Sequence, residues 1–314
     1  MIHEKGGLLP ENYSEQSLFQ RGEAMKKYRK APVCIGFLLP VFLIYTLFLF
    51  IPLVQTGYYS LTEWNGITEK IFVGLDNFRD IFSNSDYWIT FQNTIKLVII
   101  SLLIQIPMGL LLAYLLYMKT RGMKIYRTVF FLPVVIAPVA ISLMFSLFYN
   151  SEIGVFNRLL EMIGLGAFQT NWLSNIRTLL YAVMAPQVWQ YIGLYVTIFL
   201  GALQSIPGEL VESAEIDGAS RTQIFFHVVL PEIVNFTNIC IVLCVTGSLK
   251  AFEHSWIMTG GGPGVRSAYL GVYMYKTAFV NSDFGTGSAI TMTIVALSLV
   301  ITVLFNKLAA LTRD

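Results

Sequence analysis

Six stretches of this sequence, at about 33–54, 97–118, 129–149, 179–203, 233–249 and 289–305, are dominated by apolar residues and hold no charge in their interiors. Crossing the hydrocarbon of a bilayer takes about 20 residues of helix, each rising about 1.5 Å. One short apolar run can be a buried helix of a soluble domain. Six of them leave too little polar sequence to coat such a core. Composition agrees, with 55% of residues apolar and only 13% charged, about half the charge of a soluble domain. Backbone in hydrocarbon must satisfy its own hydrogen bonds, so the chain is read as an all-α polytopic membrane protein with six transmembrane helices. The last two runs are the shortest and are expected to continue as helix beyond their apolar part.

The basic clusters Lys26–Lys30 and Lys119–Arg127 abut apolar runs directly. Cytoplasmic segments are the ones enriched in such residues, which predicts both termini inside. The expected organisation is a cytoplasmic tail over 1–32 and a membrane domain over 33–310. The first run follows largely polar sequence and is longer than a signal core, so it is expected to remain as an anchor. The outer loop from Gln55 to Thr90 contains Trp64, Trp88 and several other aromatic residues, the composition of a partly ordered interfacial cap.

A net charge of +2 is too small and dispersed for a nucleic-acid surface. Cys34, Cys240 and Cys244 lie in apolar stretches, where a thiol acts as a small hydrophobe, and neither a disulfide nor a metal site is expected. The sequence has no phosphate loop, no H-E-x-x-H pairing and no G-x-S-x-G elbow. No catalytic residue, metal or cofactor is assigned. The glycine-rich stretch 259–264 lacks the lysine of a phosphate cradle and is read as a tight turn between helices.

The inner segment 205–231, between the fourth and fifth runs, is unusual. Ser205 and Pro207 suit a helix start, and Asp217-Gly218 suits its stop with the glycine in a left-handed cap. Ser220 and Gln223 have capping-box spacing for a second helix, which Pro231 should terminate or kink. In the first helix Leu210, Val211 and Ala214 should form an apolar stripe, with Glu209, Glu212 and Glu215 projecting around it. An anionic inner leaflet repels such a surface, which favours a protein partner.

These residues resemble a known signature. Glu212-Ser213-Ala214, three residues, Gly218, nine residues and Val228-x-Leu230-Pro231 match E-A-A-x3-G-x9-I-x-L-P of the permeases of binding-protein-dependent ABC importers, with Ser213 and Val228 as conservative departures. Further strings resemble the carbohydrate-uptake branch of that family: Phe72–Phe78, Phe131-Leu132-Pro133, Gln204–Pro207, Ile216–Ser220 and Met258–Pro263. The resemblance implies the type I importer permease fold and a place in a prokaryotic cell membrane. It implies a coupling role for Glu212, Ser213, Ala214, Asp217, Gly218, Leu230 and Pro231, seated in a cleft of a cytoplasmic ATP-binding subunit. The implied partners are two copies of that ATPase, a second and dissimilar permease, and an extracytoplasmic solute-binding protein that delivers a sugar or oligosaccharide.

Polar groups inside spans are costly and tend to face a bundle interior or a watery path. Pro186 should loosen the fourth span beside Gln187, Trp189, Gln190, Tyr191 and Tyr195. The fifth segment adds Asn235, Asn238, Lys250, Glu253 and His254; if its helix continues past Leu249, the last three share one face. Aromatic plates with amide neighbours suit sugar rings and hydroxyls. The alternative use of all these groups is hydrogen bonding between helices. Rival functions are an ABC permease for a glycerol phosphodiester or amino acid, a secondary transporter, which would show a charged mid-membrane site and duplicated halves, or a membrane scaffold.

The orientation has a direct check. With the native cysteines replaced, a single cysteine at position 66 or 262 should react with an impermeant maleimide outside right-side-out vesicles, whereas one at 122 or 218 should not. Outside labelling of position 218 would overturn it.

Overall fold

A computed structural model describes residues 30–118 and 122–311. The tail expected over 1–32 lies outside this range except for its last three residues. The chain divides after Gln55 into two units, described separately. Helix α1 begins in the first, running as α-helix over Lys30–Tyr45, as π-helix over Thr46–Phe50 and again as α-helix over Ile51–Tyr59. The π turn has a local cause. Pro52 carries no N–H, and just ahead of it the Ile51 N–H reaches back five residues to the Thr46 carbonyl.

The second unit opens with a small cap. Strands β1 (Thr62–Glu63) and β2 (Ile71–Phe72) pair antiparallel, Thr62 opposite Phe72. Helix α2 (Asp76–Ser83) is tied to them by buried Asn77, whose side-chain amide donates to the carbonyls of Ser60 at 3.0 Å and Thr62 at 2.9 Å. Trp64 lies between the rings of Tyr59 and Phe284, at centroid distances of 4.7 and 5.4 Å. The aromatic loop read as an interfacial cap is thus an ordered one.

Helix α3 (Ser85–Tyr117) starts well before its apolar run, because the Asn84 side chain caps it by accepting from the Asp86 N–H at 2.8 Å. It packs along α7 (Leu179–Gln204). Lipid tails are as apolar as leucine, so close contact rather than hydrophobic transfer has to hold such helices together. Gly109 of α3 supplies that closeness: a methyl there would stand 2.6 Å from the Tyr195 Cβ. Around the contact lie Ala113, Val196, Phe199, Leu200 and Leu203, joined by Cys240 and Cys244 of α10 (Val234–Leu249). On the other side of α3, Ile99, Leu103, Leu111 and Leu115 are about half exposed or more, a stripe suited to hydrocarbon.

The third apolar run is not one straight helix. It forms α4 (Met123–Val135) and α5 (Pro138–Phe148), set at 91° to one another. Pro138 forces Ala137 out of the helical region, and Ile136 and Ala137 are extended, with ψ of 135° and 133°. The break frees backbone groups, and Gln190 of α7 answers one of them by donating from Nε2 to the Ile136 carbonyl at 2.9 Å. Beside it, Gly193 lies so close to the Phe130 carbonyl oxygen that any side chain would collide with it. Among the described residues five helical stretches are long and apolar enough to span a membrane, one of them Val234–Thr259, and the bent pair makes a sixth crossing if counted as one.

After a short helix α6 (Val155–Met162) and α7 come α8 (Gly208–Ile216) and α9, which is helical over Arg221–Ile224, π-helical over Phe225–Val229 and helical again over Leu230–Glu232. Then follow α10, α11 (Glu253–Thr259), α12 (Leu270–Tyr275, continued by a π turn over Lys276–Val280) and α13 (Phe284–Leu311). The glycine-rich stretch is the expected turn, with Gly260, Gly261 and Gly264 all at positive φ.

Gly193→Ala should lower the thermal midpoint of the detergent-purified chain by several degrees, reflecting about 1–3 kcal/mol of overpacking. Gly201→Ala, in the same helix with open space around it, should leave the midpoint unchanged or raise it. Equal midpoints for the two variants would refute the contact.

Candidate functional site

The first candidate feature is a cavity of about 310 Å3 between α3, α7 and the junction of α10 with α11. Gln187, Tyr191 and Tyr195 face it from α7 at intervals of four residues, one helical face. Lys250, Glu253 and His254 face it from the junction, together with Cys244 and Ser248. The helix does not continue past Leu249 as the sequence reading had allowed. Lys250 ends α10, Phe252 turns away at φ −144°, and α11 begins at Glu253. The break rather than a continuous helical face brings these three residues to one cavity.

Among the described residues, seven buried side-chain atoms lack a hydrogen-bond partner, and two of them belong to residues lining this cavity. Gln187 is 6% exposed and His254 2% exposed, and neither Gln187 Oε1 nor His254 Nε2 has a hydrogen-bond partner. A buried unsatisfied polar atom costs about 1–3 kcal/mol, a cost that a hydrogen-bonding partner reaching either atom would remove. Gln105 of α3 completes the wall. Its Nε2 donates to the Val188 carbonyl at 3.1 Å, and its Oε1 accepts from Cys244 Sγ at 3.3 Å. Sequence reasoning missed Gln105, although an amide within an otherwise apolar run was the signal.

The remaining sequence candidates do not line this cavity. Trp189 is about half exposed and stacks near Phe145, with ring centroids 5.7 Å apart. Gln190 is engaged with the break between α4 and α5. Asn235, exposed, and Asn238, half-buried, lie near the start of α10, well before Cys244. Among the described residues no group of three His, Cys, Asp or Glu side chains is placed to hold a metal ion.

The second feature is the segment containing α8 and α9. Ser205 caps the end of α7, its Oγ donating to the Ala202 carbonyl at 2.7 Å, and Pro207 is the residue that opens α8. At its other end Gly218 adopts φ +78°. The Ala219 N–H donates to the Ala214 carbonyl at 3.0 Å and the Gly218 N–H to Glu215 at 3.1 Å, the paired bonds of a Schellman stop. Two residues on, the capping box forms. Ser220 N–H donates to Gln223 Oε1 at 2.8 Å, and Gln223 N–H to Ser220 Oγ at 3.4 Å. Both helix ends at the corner are therefore satisfied by the segment's own residues.

Val211 and Ala214 pack against the core beside Ile224 and Val229, but Leu210, expected on the same stripe, is exposed. Glu209, Glu212, Ser213, Glu215 and Asp217 are exposed as well. With Leu210 and Ile216 they form a mixed acidic and apolar outer face. Leu230 is half-buried and Pro231 exposed; ahead of Pro231 the chain takes a π turn in which the Leu230 N–H reaches the Phe225 carbonyl, repeating the solution seen before Pro52.

Comparison with known proteins covers both features. A family profile described as "Binding-protein-dependent transport system inner membrane component" matches residues 105–313. The chain is 35% identical over 274 residues to "Probable ABC transporter permease protein YurN" of Bacillus subtilis (strain 168), covering 86% of this chain and 94% of that protein. It is 29% identical to "Multiple sugar-binding transport system permease protein MsmF" of Streptococcus mutans, over 87% of this chain and 93% of that one. A bacterial alginate ABC transporter, solved in complex with an alginate pentasaccharide-bound periplasmic protein, has a chain of the same fold, with a TM-score of 0.78 and 24% identity over 90% of this chain and 96% of that chain.

Proposed function

This chain belongs to the inner membrane components of binding-protein-dependent transport systems, and from that premise we propose that its central cavity passes a neutral sugar or oligosaccharide. It is a permease rather than an enzyme, and ATP is hydrolysed by a separate subunit of the importer. The observation that carries the sugar reading is the pair of buried, unpartnered atoms, Gln187 Oε1 and His254 Nε2, beside the rings of Tyr191 and Tyr195. Amides and a histidine match hydroxyl groups, and tyrosine faces match the apolar faces of pyranose rings. Lys250 and Glu253 line the same cavity with opposite charges, which disfavours a phosphorylated solute. The name of the relative MsmF agrees with this class.

In the same reading the importer holds two ATPase copies, a second and dissimilar permease, and an extracytoplasmic binding protein in a prokaryotic cell membrane. Both termini lie in the cytoplasm. Glu212, Ser213, Ala214, Asp217 and Gly218 then present α8 to the ATPase, with Leu230 and Pro231 fixing where the segment re-enters the membrane. A chain without a nucleotide site has to receive force through a stiff projection, and the doubly capped corner at Gly218 supplies one.

Two measurements on the intact complex in proteoliposomes test this. Gln187→Leu should raise the KM for uptake of the sugar presented by the binding protein about fivefold, the loss of roughly 1 kcal/mol of hydrogen bonding; an unchanged KM would remove Gln187 from the path. Gly218→Val meets no neighbour but forces a branched side chain to positive φ, at about 1 kcal/mol or more. The variant should accumulate normally while solute-stimulated ATP hydrolysis falls severalfold. Wild-type stimulation with the ATPase bound would sink the coupling role.

A further inference from the structure

At the end of the bundle where α3 and α7 begin, a second cavity of about 240 Å3 gathers three cations from three separate elements. Lys96 comes from α3, Arg177 from the residues just before α7, and Arg266 from the turn after α11. Among the described residues no carboxylate lines the cavity. Leu180 and Tyr181, in the first turn of the 26-residue helix α7, also line it and add the positive end of a long macrodipole.

The backbone at Arg266 is tied to α3. Asn93, one turn before Lys96 and 4% exposed, donates from Nδ2 to the carbonyls of Arg266 at 3.0 Å and Ala268 at 3.1 Å. The neighbouring Thr94 Oγ1 accepts from the Leu270 N–H at 2.9 Å. All three cations are exposed side chains; like charges around one cavity repel one another, and a single anion among them would reverse the sign of that interaction.

The surroundings identify the anion. Below Lys96 on the same face of α3 come Ile99 and Leu103, 50% and 68% exposed, and below Tyr181 on α7 come Ala185 and Trp189, both exposed. Two apolar tracks thus lead from the basic cavity toward the middle of the membrane domain. A free phosphate or a dissolved acid has no use for such tracks, whereas a phospholipid does. We propose that the cavity holds the phosphate of an anionic phospholipid, with its acyl chains lying along α3 and α7. This site is separate from the central cavity, shares no lining residue with it and does not depend on which solute is carried.

The intact transporter, reconstituted in bilayers of equal phosphatidylglycerol and phosphatidylethanolamine and then extracted in mild detergent, gives the test by native mass spectrometry. Wild type should retain phosphatidylglycerol in preference. Lys96→Gln and Arg266→Gln should each lower that preference about fivefold, and the combination with Arg177→Gln should abolish it. Lys70→Gln, an outer cation stacked on Tyr59 and Trp64 away from this cavity, should leave it intact. Three outcomes would overturn the proposal: equal retention of both lipids by wild type, unchanged preference in the single variants, or zero-length crosslinking of Lys96 to a carboxylate of a partner subunit. None of these readouts requires transport, so failure here and failure of the sugar reading are distinguishable.

Discussion

Inside hydrocarbon every interruption of a helix exposes backbone groups that no water can reach, and this single constraint organises the molecule. Each break is met by a specific answer. The gap at Ile136 and Ala137 is met by the Gln190 amide, and Pro52 is preceded by a π turn that redirects one N–H to a carbonyl five residues back, the same turn that precedes Pro231 at the end of the segment containing α8 and α9. The break at Lys250–Phe252 is different, because it opens onto the central cavity. Irregular backbone at membrane depth is tolerated where it is buried in protein or lines a cavity, and the chain uses both allowances.

The same economy explains why polar side chains in the spans divide into two populations. Gln190 and Asn93 spend their amide hydrogens on backbone carbonyls and act as structure. Gln187 and His254 each leave one atom without a partner, as Gln190 does at Oε1, but they line the central cavity and Gln190 does not. Composition cannot separate these groups, since both are buried amides or imidazoles in apolar helices. Their position relative to the cavity does so.

Much of the architecture was legible in the sequence for reasons that are local. The corner at Gly218 could be read residue by residue because its hydrogen bonds close within a few positions: a glycine stop, then Ser220 and Gln223 at capping distance. Gln187, Tyr191 and Tyr195 read in the sequence as one polar group with Trp189 and Gln190, and only their spacing of four separates the three that line the cavity. Illegible features depend on distant segments. The third run reads as one span, whereas it bends by 91°, with Gln190 and Gly193 of the distant α7 set against the break. Leu210 was placed on the inward stripe because α8 was read as an isolated helix, whereas only the edge carrying Val211 and Ala214 meets the core.

The contacts between α7 and the bent pair also restrict how this part of the protein can move. Gln190 is bonded to the Ile136 carbonyl, and three residues later Gly193 meets the Phe130 carbonyl. A screw displacement of α7 by one residue, about 1.5 Å along and about 100° around its axis, would break the amide bond and bring the side chain of Ile192 or Leu194 to where Gly193 meets Phe130. That change of register is thereby closed to this pair of segments. A rearrangement that keeps both contacts carries α4, α5 and α7 together.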